Sequence, residues 1–255
     1  MAGTITRDVE YTLGDARMLG LLCTSATAAA PAPGVVLVHD AFGLGDDMIA
    51  IAHRVAELGF SVFAADVWGD RVTPGSNDEI GPLIGGMVRD REQWIARVAA
   101  AHEFAAALPE VSGAGLVSMG YCFGGSSALE YARVGGAVRA VIAIHPGLDL
   151  LEFDWSAVRD RMERGEGSAP QALVIFGADD PMATPEQWRQ AKTGMTGAGV
   201  DWELDLYSGT VHAFTSPKAA HSPDPSVAMY HPRNAERAWR ATERLLEELR
   251  SEGDG

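Results

Sequence analysis

Apolar residues along the chain form short unbroken runs that alternate with helical patterns. The segments 34–40, 138–147 and 171–180 are rich in β-branched and aliphatic residues and predict strands that are buried on both faces. Between such runs, segments such as 48–59 and 89–107 repeat their apolar residues with the period of an α-helix. Buried strands alternating with helices predict an α/β fold, a mostly parallel sheet with helices on both faces.

The remaining elements follow the same alternation. They are a hairpin of 8–13 and 17–25 through Gly14-Asp15 at the sheet edge, strands at 60–68, 113–122 and 200–209, and helices near 123–132, 184–197 and 233–250. The segment 69–88 is rich in proline and glycine and predicts a long irregular loop, and 148–169 predicts a second insertion. Because no linker divides the chain, we expect one domain over residues 1–255.

Charge and cysteine content narrow the function classes. The net charge of −15 disfavours binding to nucleic acid or to an anionic membrane surface. The two cysteines, Cys23 and Cys122, lack the spacing of a zinc site, and neither a cofactor nor a metal is expected. No apolar run has the length of a membrane span, and the first fifteen residues lack the apolar core of a secretion signal. These features predict a cytoplasmic protein.

A cysteine lies among glycines where a strand passes into a helix. The stretch "GYCFGG" places Gly120 and Gly124 two residues on either side of Cys122, which is the spacing of a nucleophile elbow. The N-terminus of the following helix favours a thiolate. A buried cysteine beside a packing turn is the alternative, and this motif alone does not decide between the two.

A nucleophile of this kind needs a base, and the base needs an orienting acid, in the order nucleophile, acid, histidine. Asp180 follows a strong strand and is favoured over its neighbour Asp179. His212 follows the last strand, although His145 and His39 also stand at strand ends and remain alternatives.

Together with these residues, several motifs make the chain resemble the dienelactone hydrolase family, whose members are cysteine hydrolases with an α/β-hydrolase fold. The motifs that carry the resemblance are "VHDAFGL", "AADVWGD", "GYCFGG", "GADDP" and "VHAF". The resemblance implies that Cys122 is the nucleophile, Asp180 the orienting acid and His212 the base. It also implies that the backbone N–H groups of Ala41 and Phe123 form the oxyanion hole.

Two positions depart from the family pattern. The family has a glutamate near the cysteine where this chain has Asp40, which we expect to modulate how much thiolate is present. Members that cleave dienelactone have an arginine shortly after the histidine, whereas this chain continues with Ala213-Phe214-Thr215. Arg71, Arg89 and Arg91 are the candidates to bind an anionic substrate instead, and Arg71 is the one that we assign to the substrate pocket. The other candidates for lining the substrate pocket are Phe42, Trp68, Tyr121, His145 and Phe214.

The resulting prediction is a carboxymethylenebutenolidase-like hydrolase of small-molecule ester or lactone substrates, acting through an acyl-cysteine intermediate. The alternatives are a thioesterase, or a non-catalytic ligand-binding or redox-responsive thiol protein on the same scaffold. The absence of a second cysteine near Cys122 leaves no local partner for a disulfide switch and disfavours the redox alternative.

Overall fold

The computed structural model describes residues 3–253. The chain divides into two compact units, and each is described by itself. The first contains the residues up to Met119 together with the chain from Leu246 onward, and the second is Gly120–Leu245. The expectation of a single domain over 1–255 extends past the described residues and stays a prediction.

The first unit is built on the N-terminal strands. Its elements are β1 (Thr4–Leu13), β2 (Ala16–Ser25), β3 (Ala32–Val38), α1 (Asp46–Glu57), β4 (Ser61–Ala65), α2 (Asn77–Arg89), α3 (Arg91–Ala106) and most of β5 (Val111–Tyr121). The strand order is β1-β2-β4-β3-β5. β3 pairs with β4 in parallel, and the predicted hairpin of β1 and β2 is antiparallel, as is the pairing of β2 with β4.

The core of the first unit follows from its apolar patterns. Every residue of β4 is buried, as a strand covered on both faces requires. Trp94, Val98, Ala101 and Ala105 are buried at helical spacing along α3, so one face of that helix enters the core. The ring of Tyr11 lies against Phe63 and Phe104, with ring centroids 5.3 and 5.5 Å away, and its hydroxyl donates to the Asp66 carbonyl.

The second unit carries the remaining elements. They are α4 (Phe123–Arg133), β6 (Val138–Ile144), α5 (Ser156–Glu163), β7 (Gln171–Gly177), α6 (Pro185–Gly197), β8 (Asp201–Tyr207) and α7 (Pro232–Gly253) as far as Leu245. β6, β7 and β8 are consecutive neighbours, and both pairings are parallel. The strands and helices predicted from the sequence for this unit are therefore present, with boundaries shifted by a few residues.

Helix α4 is buried along its whole length, including two charged residues. Arg133 donates two hydrogen bonds of 2.8 Å to the carboxylate of Glu130. Glu130 also accepts from the Glu152 N–H, and Arg133 donates to the Asp154 carbonyl. Because each of these partners satisfies a buried charge, the pair fixes the first part of the 148–169 insertion to α4.

The prediction of an irregular loop over 69–88 is wrong for its second half, where α2 forms. Gly81, Pro82, Gly85 and Gly86 are helical there, although such residues usually mark loops. Pro82 lies only in the second turn of α2, and Ile80 and Met87 bury one side of the helix. Burial of that side outweighs the poor local helix propensity of the segment.

Candidate active site

Cys122 occupies a sharp turn between β5 and α4. Its φ is +52°, a left-handed backbone conformation that is unusual for a side chain other than glycine. A Cβ atom at Gly120 would lie 2.2 Å from the carbonyl of Gly124, so only glycine fits there. The Cys122 N–H donates to the Ile144 carbonyl at 3.0 Å, which ties the turn to the end of β6. The turn therefore has the strained backbone and small neighbours of a nucleophile elbow.

Cys122, His212 and Asp180 form one hydrogen-bonded row. The Nε2 of His212 lies 3.1 Å from the Cys122 Sγ, and its Nδ1 lies 2.8 Å from the Asp180 Oδ2. The imidazole and the carboxylate are both buried, whereas the cysteine is half-buried. The structure thus brings together the three residues that the sequence indicated as nucleophile, base and acid.

The Asp180 carboxylate is held from its other side by the backbone. Its Oδ1 accepts from the Met182 N–H at 2.8 Å, so each oxygen has a hydrogen-bond donor. Asp179, the alternative acid, is exposed and its N–H donates to the Thr210 carbonyl. The carboxylate that meets the imidazole is therefore that of Asp180.

The surroundings of His212 raise its pKa despite its burial. Desolvation by burial lowers that pKa, but the negative charge of Cys122, and then the hydrogen bond with Asp180, raise it from 6.5 to about 10. The buried imidazole lies between the Asp180 carboxylate and the Cys122 sulfur, an arrangement that favours its protonated form.

Three of the predicted lining residues form an aromatic cluster in the second unit, and one of them, His145, contacts His212. The His145 ring packs edge-on against His212, with centroids 5.1 Å apart, and Phe214 and Tyr121 lie 5.4 and 5.8 Å from His145. Phe214 and Tyr121 are buried, so they form a wall of this cluster. His145, an alternative base from the sequence, contacts neither Asp180 nor Cys122 by any hydrogen bond that the described residues show.

The remaining predicted residues lie in the first unit. Asp40 accepts the Phe42 N–H at its Oδ1, at 2.8 Å, and so caps the turn after β3. The Nε1 of Trp68 donates to the Ala41 carbonyl at 3.3 Å, and Phe42 is 47% exposed. The turn at residues 40–42, after β3, is therefore hydrogen-bonded to the loop at residues 66–72, after β4, within this unit.

Arg71 has structural partners. Its guanidinium donates to Asp8 and to the carbonyls of Leu19 and Gly20, at 2.7–3.0 Å. These contacts fix it to β1 and β2, which argues against the role in anion binding that the sequence suggested.

The sequence reasoning missed the residues that hold the His212 loop. Thr210 is buried and accepts from the Nδ2 of Asn234 at 2.7 Å, and Thr215 lies 2.8 Å from His145 Nε2. Asn234 lies in the first turn of α7, and no sequence pattern connects it with Thr210 across 24 residues. Thr215 was visible only as the place where an arginine is missing.

Within residues 3–253 the structure contains no group of three His, Cys, Asp or Glu side chains that could hold a metal ion. None of the helices in that range is long and apolar enough to cross a membrane.

Comparison with known proteins places the chain in a family. The model of the dienelactone hydrolase family matches residues 18–249. The crystal structure of a dienelactone hydrolase-like promiscuous phosphotriesterase from metagenomic libraries is 33% identical, covers 97% of this chain and 99% of its own, and has a TM-score of 0.87.

Two curated relatives also match this chain. A protein of Methylorubrum extorquens that carries the provisional name carboxymethylenebutenolidase is 27% identical, over 72% of this chain and 64% of its own length. The protein usf of Aquifex pyrophilus is 23% identical, over 94% of this chain and 97% of its own. The chain therefore belongs to the dienelactone hydrolase family of hydrolases and has the α/β-hydrolase fold of that family.

Proposed function

We propose that this protein hydrolyses small-molecule carboxylic ester or lactone bonds through an acyl-cysteine intermediate. Cys122 is the nucleophile, His212 the proton carrier and Asp180 the orienting acid. The observation that carries the proposal is the row from Asp180 through His212 to Cys122, with contacts of 2.8 and 3.1 Å on a strained elbow. A merely structural cysteine needs neither the strained turn nor the buried ion pair.

The first half-reaction acylates the cysteine. The Cys122 thiolate attacks the carbonyl carbon, and the His212 imidazolium gives its Nε2 proton to the departing alkoxide as the C–O bond breaks. The Phe123 N–H is the first amide of α4, and the positive N-terminus of that helix favours the developing oxyanion. Ala41, the second donor expected from the family resemblance, stays a prediction.

The second half-reaction uses the same histidine as a base. Acylation removes the negative charge of Cys122, which is the strongest influence raising the pKa of His212, while the burial that lowers the pKa remains. Because the imidazole has given its Nε2 proton to the alkoxide, it is neutral in the acyl-enzyme and accepts a proton from water as the water attacks the thioester. Collapse of this intermediate releases the acid and restores the thiolate–imidazolium pair.

The specificity that we propose follows from the lack of an arginine at the positions directly after His212. A bidentate arginine recognises a substrate carboxylate with a geometry that Thr215 does not reproduce, and Arg71 is held by β1 and β2. We expect neutral short-chain esters to equal or exceed dienelactone in kcat/KM. Phe42, Trp68, Tyr121, His145 and Phe214 keep their proposed lining role.

The decisive test compares the two cysteines. Cys122→Ala is expected to abolish ester hydrolysis with an unchanged circular dichroism spectrum, and iodoacetamide to label Cys122 first. Cys23→Ala is the matched control, because Cys23 is buried in β2 and burial raises its pKa. Intact-mass detection of an acyl adduct on wild type, but not on Cys122→Ala, identifies the intermediate. Full activity of Cys122→Ala would overturn the mechanism.

A second candidate activity is phosphotriester hydrolysis. It is supported by the 33% identity over nearly the whole chain to a promiscuous phosphotriesterase. A neutral triester also suits a site without a cation after His212. Assay with a neutral aryl phosphotriester is expected to give Cys122-dependent turnover and a phosphoryl adduct on the cysteine, and an adduct without turnover would limit the activity to esters.

Asp40 and the location of the protein complete the proposal. We keep Asp40 as a residue that limits the resting thiolate, with its contact to the Phe42 N–H as the competing explanation. Asp40→Asn is expected to raise the thiolate absorbance at 240 nm and the rate of inactivation by peroxide, whereas a pure turn residue changes neither. The location that we propose is the cytoplasm.

A further inference from the structure

The loop that carries His212 is fixed on two sides by contacts that have no part in the chemistry. The His212 N–H donates to the Val227 carbonyl, and the Met229 N–H donates to the His212 carbonyl, so the backbone of His212 pairs with the chain before α7. Asn234 of α7 holds Thr210. Despite these ties, Ala213 has a φ of +53°, so the backbone is strained directly after the base.

A third tie reaches the loop from the end of β6. The Nε2 of His145 and the Oγ1 of Thr215 are 2.8 Å apart, three residues beyond His212. The backbone N–H of His145 donates to the Ile175 carbonyl at 2.7 Å, and its own φ is +38°. His145 is thus anchored to β7 at its backbone and to the His212 loop at its ring.

The hydrogen bond to Thr215 is the polar tie of the His145 ring. The Nδ1 of His145 is buried and has no hydrogen-bond partner among residues 3–253, and the rest of the ring contacts the aromatic edges of Tyr121, His212 and Phe214. Burial, and then the positive charge of His212, hold the pKa of His145 well below its usual value. His145 is therefore a neutral ring beside an imidazolium.

We propose that the His145–Thr215 pair is a positioning device that keeps the His212 imidazole against Cys122. The inference rests on the proposed function, since it assigns a role within the same site. His145 packs on one edge of the His212 ring and, through Thr215, restrains the backbone that continues from His212. Neither residue touches the reacting atoms, and both act through His212.

Loss of the His145–Thr215 hydrogen bond is expected to weaken the ion pair between the His212 imidazolium and the Cys122 thiolate. When the tie is broken, the Nε2 of His212 is free to leave the Sγ of Cys122, so the imidazolium stabilises the thiolate less. The resting thiolate and kcat both fall, whereas KM for a neutral ester is unchanged. A purely structural contact would lower stability without moving the thiolate absorbance.

Thr215→Val tests the pair, because valine keeps the branched shape and removes the hydroxyl. The expected result is a fall of about fivefold in kcat, the ratio that corresponds to the typical net free energy of one hydrogen bond, with a weaker thiolate absorbance at 240 nm and pH 7. Thr215→Ser restores both. Thr242→Val is the matched control, since Thr242 is a buried threonine of α7 whose hydroxyl donates to the Ala238 carbonyl. It is expected to leave both readings at the wild-type level.

A double-mutant cycle completes the test. His145→Phe keeps the aromatic edges and loses Nε2, and His145→Gln serves in its place if the first variant does not fold. The double variant with Thr215→Val is expected to be no slower than the slower single variant, because both changes break one bond. Additive losses, or an unchanged thiolate absorbance in Thr215→Val, would overturn the positioning role.

The outcomes also separate this proposal from the proposed function. If Cys122→Ala is inactive while Thr215→Val behaves like wild type, only the positioning role fails. If Cys122→Ala is active, the acyl-cysteine mechanism fails whatever the Thr215 variants show.

Discussion

Each unit of the molecule buries an aspartate and a histidine beyond the ends of its strands, but the two sets are used differently. In the first unit, the Asp66 carboxylate accepts three backbone N–H groups, from Leu19, Gly69 and Arg71, at 2.7–3.0 Å. In the second unit, Asp180 accepts one backbone N–H and gives its other oxygen to His212. Both oxygens of Asp66 therefore accept hydrogen bonds from backbone N–H groups, whereas one oxygen of Asp180 is hydrogen-bonded to a side chain.

The histidines differ in the same way. The Nε2 of His39 accepts from the Val67 N–H, so its proton is on Nδ1, which donates to the Asp40 carbonyl. Burial lowers the pKa of His39, and both its nitrogens are occupied by backbone. His212 instead has a carboxylate on one nitrogen and a thiol on the other. His39 therefore has no side chain with which to exchange a proton, whereas the proton transfer that we propose for His212 has a side-chain partner on each nitrogen.

The largest expected effect comes from changing the two aspartates in parallel. Asp180→Asn is expected to lower kcat by about 10³-fold or more, because an amide no longer holds the His212 tautomer. Asp66→Asn is expected to lower the free energy of unfolding by about 3 kcal/mol, since an amide nitrogen then faces backbone N–H donors. Ester turnover and urea unfolding, measured on both variants, check that Asp180→Asn loses mainly activity and Asp66→Asn mainly stability.

One outcome would contradict this division between activity and stability. If Asp66→Asn loses kcat as strongly as Asp180→Asn while its unfolding midpoint stays at the wild-type value, the first cluster is part of the chemistry. The two aspartates would then share a role in catalysis.

The sequence predicts one of these clusters better than the other. The motif "GYCFGG" predicts a sharp turn at Cys122, because a Cβ atom at Gly120 would clash with Gly124. The expected chain order of nucleophile, acid and histidine then leaves few candidates besides Asp180 and His212. Nothing in "AADVWGD" reveals that Asp66 caps three amides, because those amides lie on Leu19 and on a loop whose course depends on the fold. The helical α2 and the Asn234–Thr210 contact were missed for the same reason, since long-range packing decides them.

Two buried histidines have pKa values shifted in opposite directions, so the stability of the fold depends on each in a different pH range. Burial lowers the pKa of His102 in α3 from 6.5 to about 4, against a weaker effect of its bond to the Val98 carbonyl. The unfolded chain takes up this proton first, so the contribution of His102 to stability is complete above pH 6.5 and is lost as pH falls to about 4. The loss is about 3 kcal/mol. His212, with a raised pKa, contributes its full stabilisation below pH 6.5 and loses it only as pH rises towards 10, so its contribution is constant across this acid window.

His102→Gln isolates that contribution, because glutamine retains a hydrogen-bond donor and does not titrate in this range. Urea unfolding from pH 7 to pH 4 is expected to show a flatter decline in stability for this variant than for wild type. Parallel curves for the two proteins would show that His102 is not a neutral buried ring.

Arg71→Lys tests whether the first cluster binds substrate. Lysine does not reproduce the three contacts to Asp8, Leu19 and Gly20, so we expect a loss of about 1–2 kcal/mol in the free energy of unfolding. KM is expected to stay constant for a neutral ester and for dienelactone, whose carboxylate an anion-binding arginine would recognise. A rise in KM for dienelactone alone would return Arg71 to the substrate site.

The smallest expected effect is on kcat, and it depends on whether a residue with a positive φ lies next to His212 or in the first unit. Among residues 3–253, five residues other than glycine have a positive φ: Asp70, Arg71, Cys122, His145 and Ala213. Glycine adopts this conformation without strain but loses more entropy on folding, so Ala213→Gly and Asp70→Gly should each change stability by less than about 1 kcal/mol. Asp70→Gly also loses an exposed ion pair with Arg17, which has little effect.

The activities of these two glycine variants should differ although their stabilities do not. Ala213 follows the base directly, and added backbone freedom there lets the imidazole drift, so kcat should fall by about threefold. Asp70 lies on a loop of the first unit whose course Asp66 fixes, so Asp70→Gly should turn over ester at the wild-type rate. Equal kcat values for both variants, with wild-type melting temperatures, would show that the strain after His212 is incidental. A loss confined to Ala213→Gly would show that this strained backbone helps to hold His212 against Cys122.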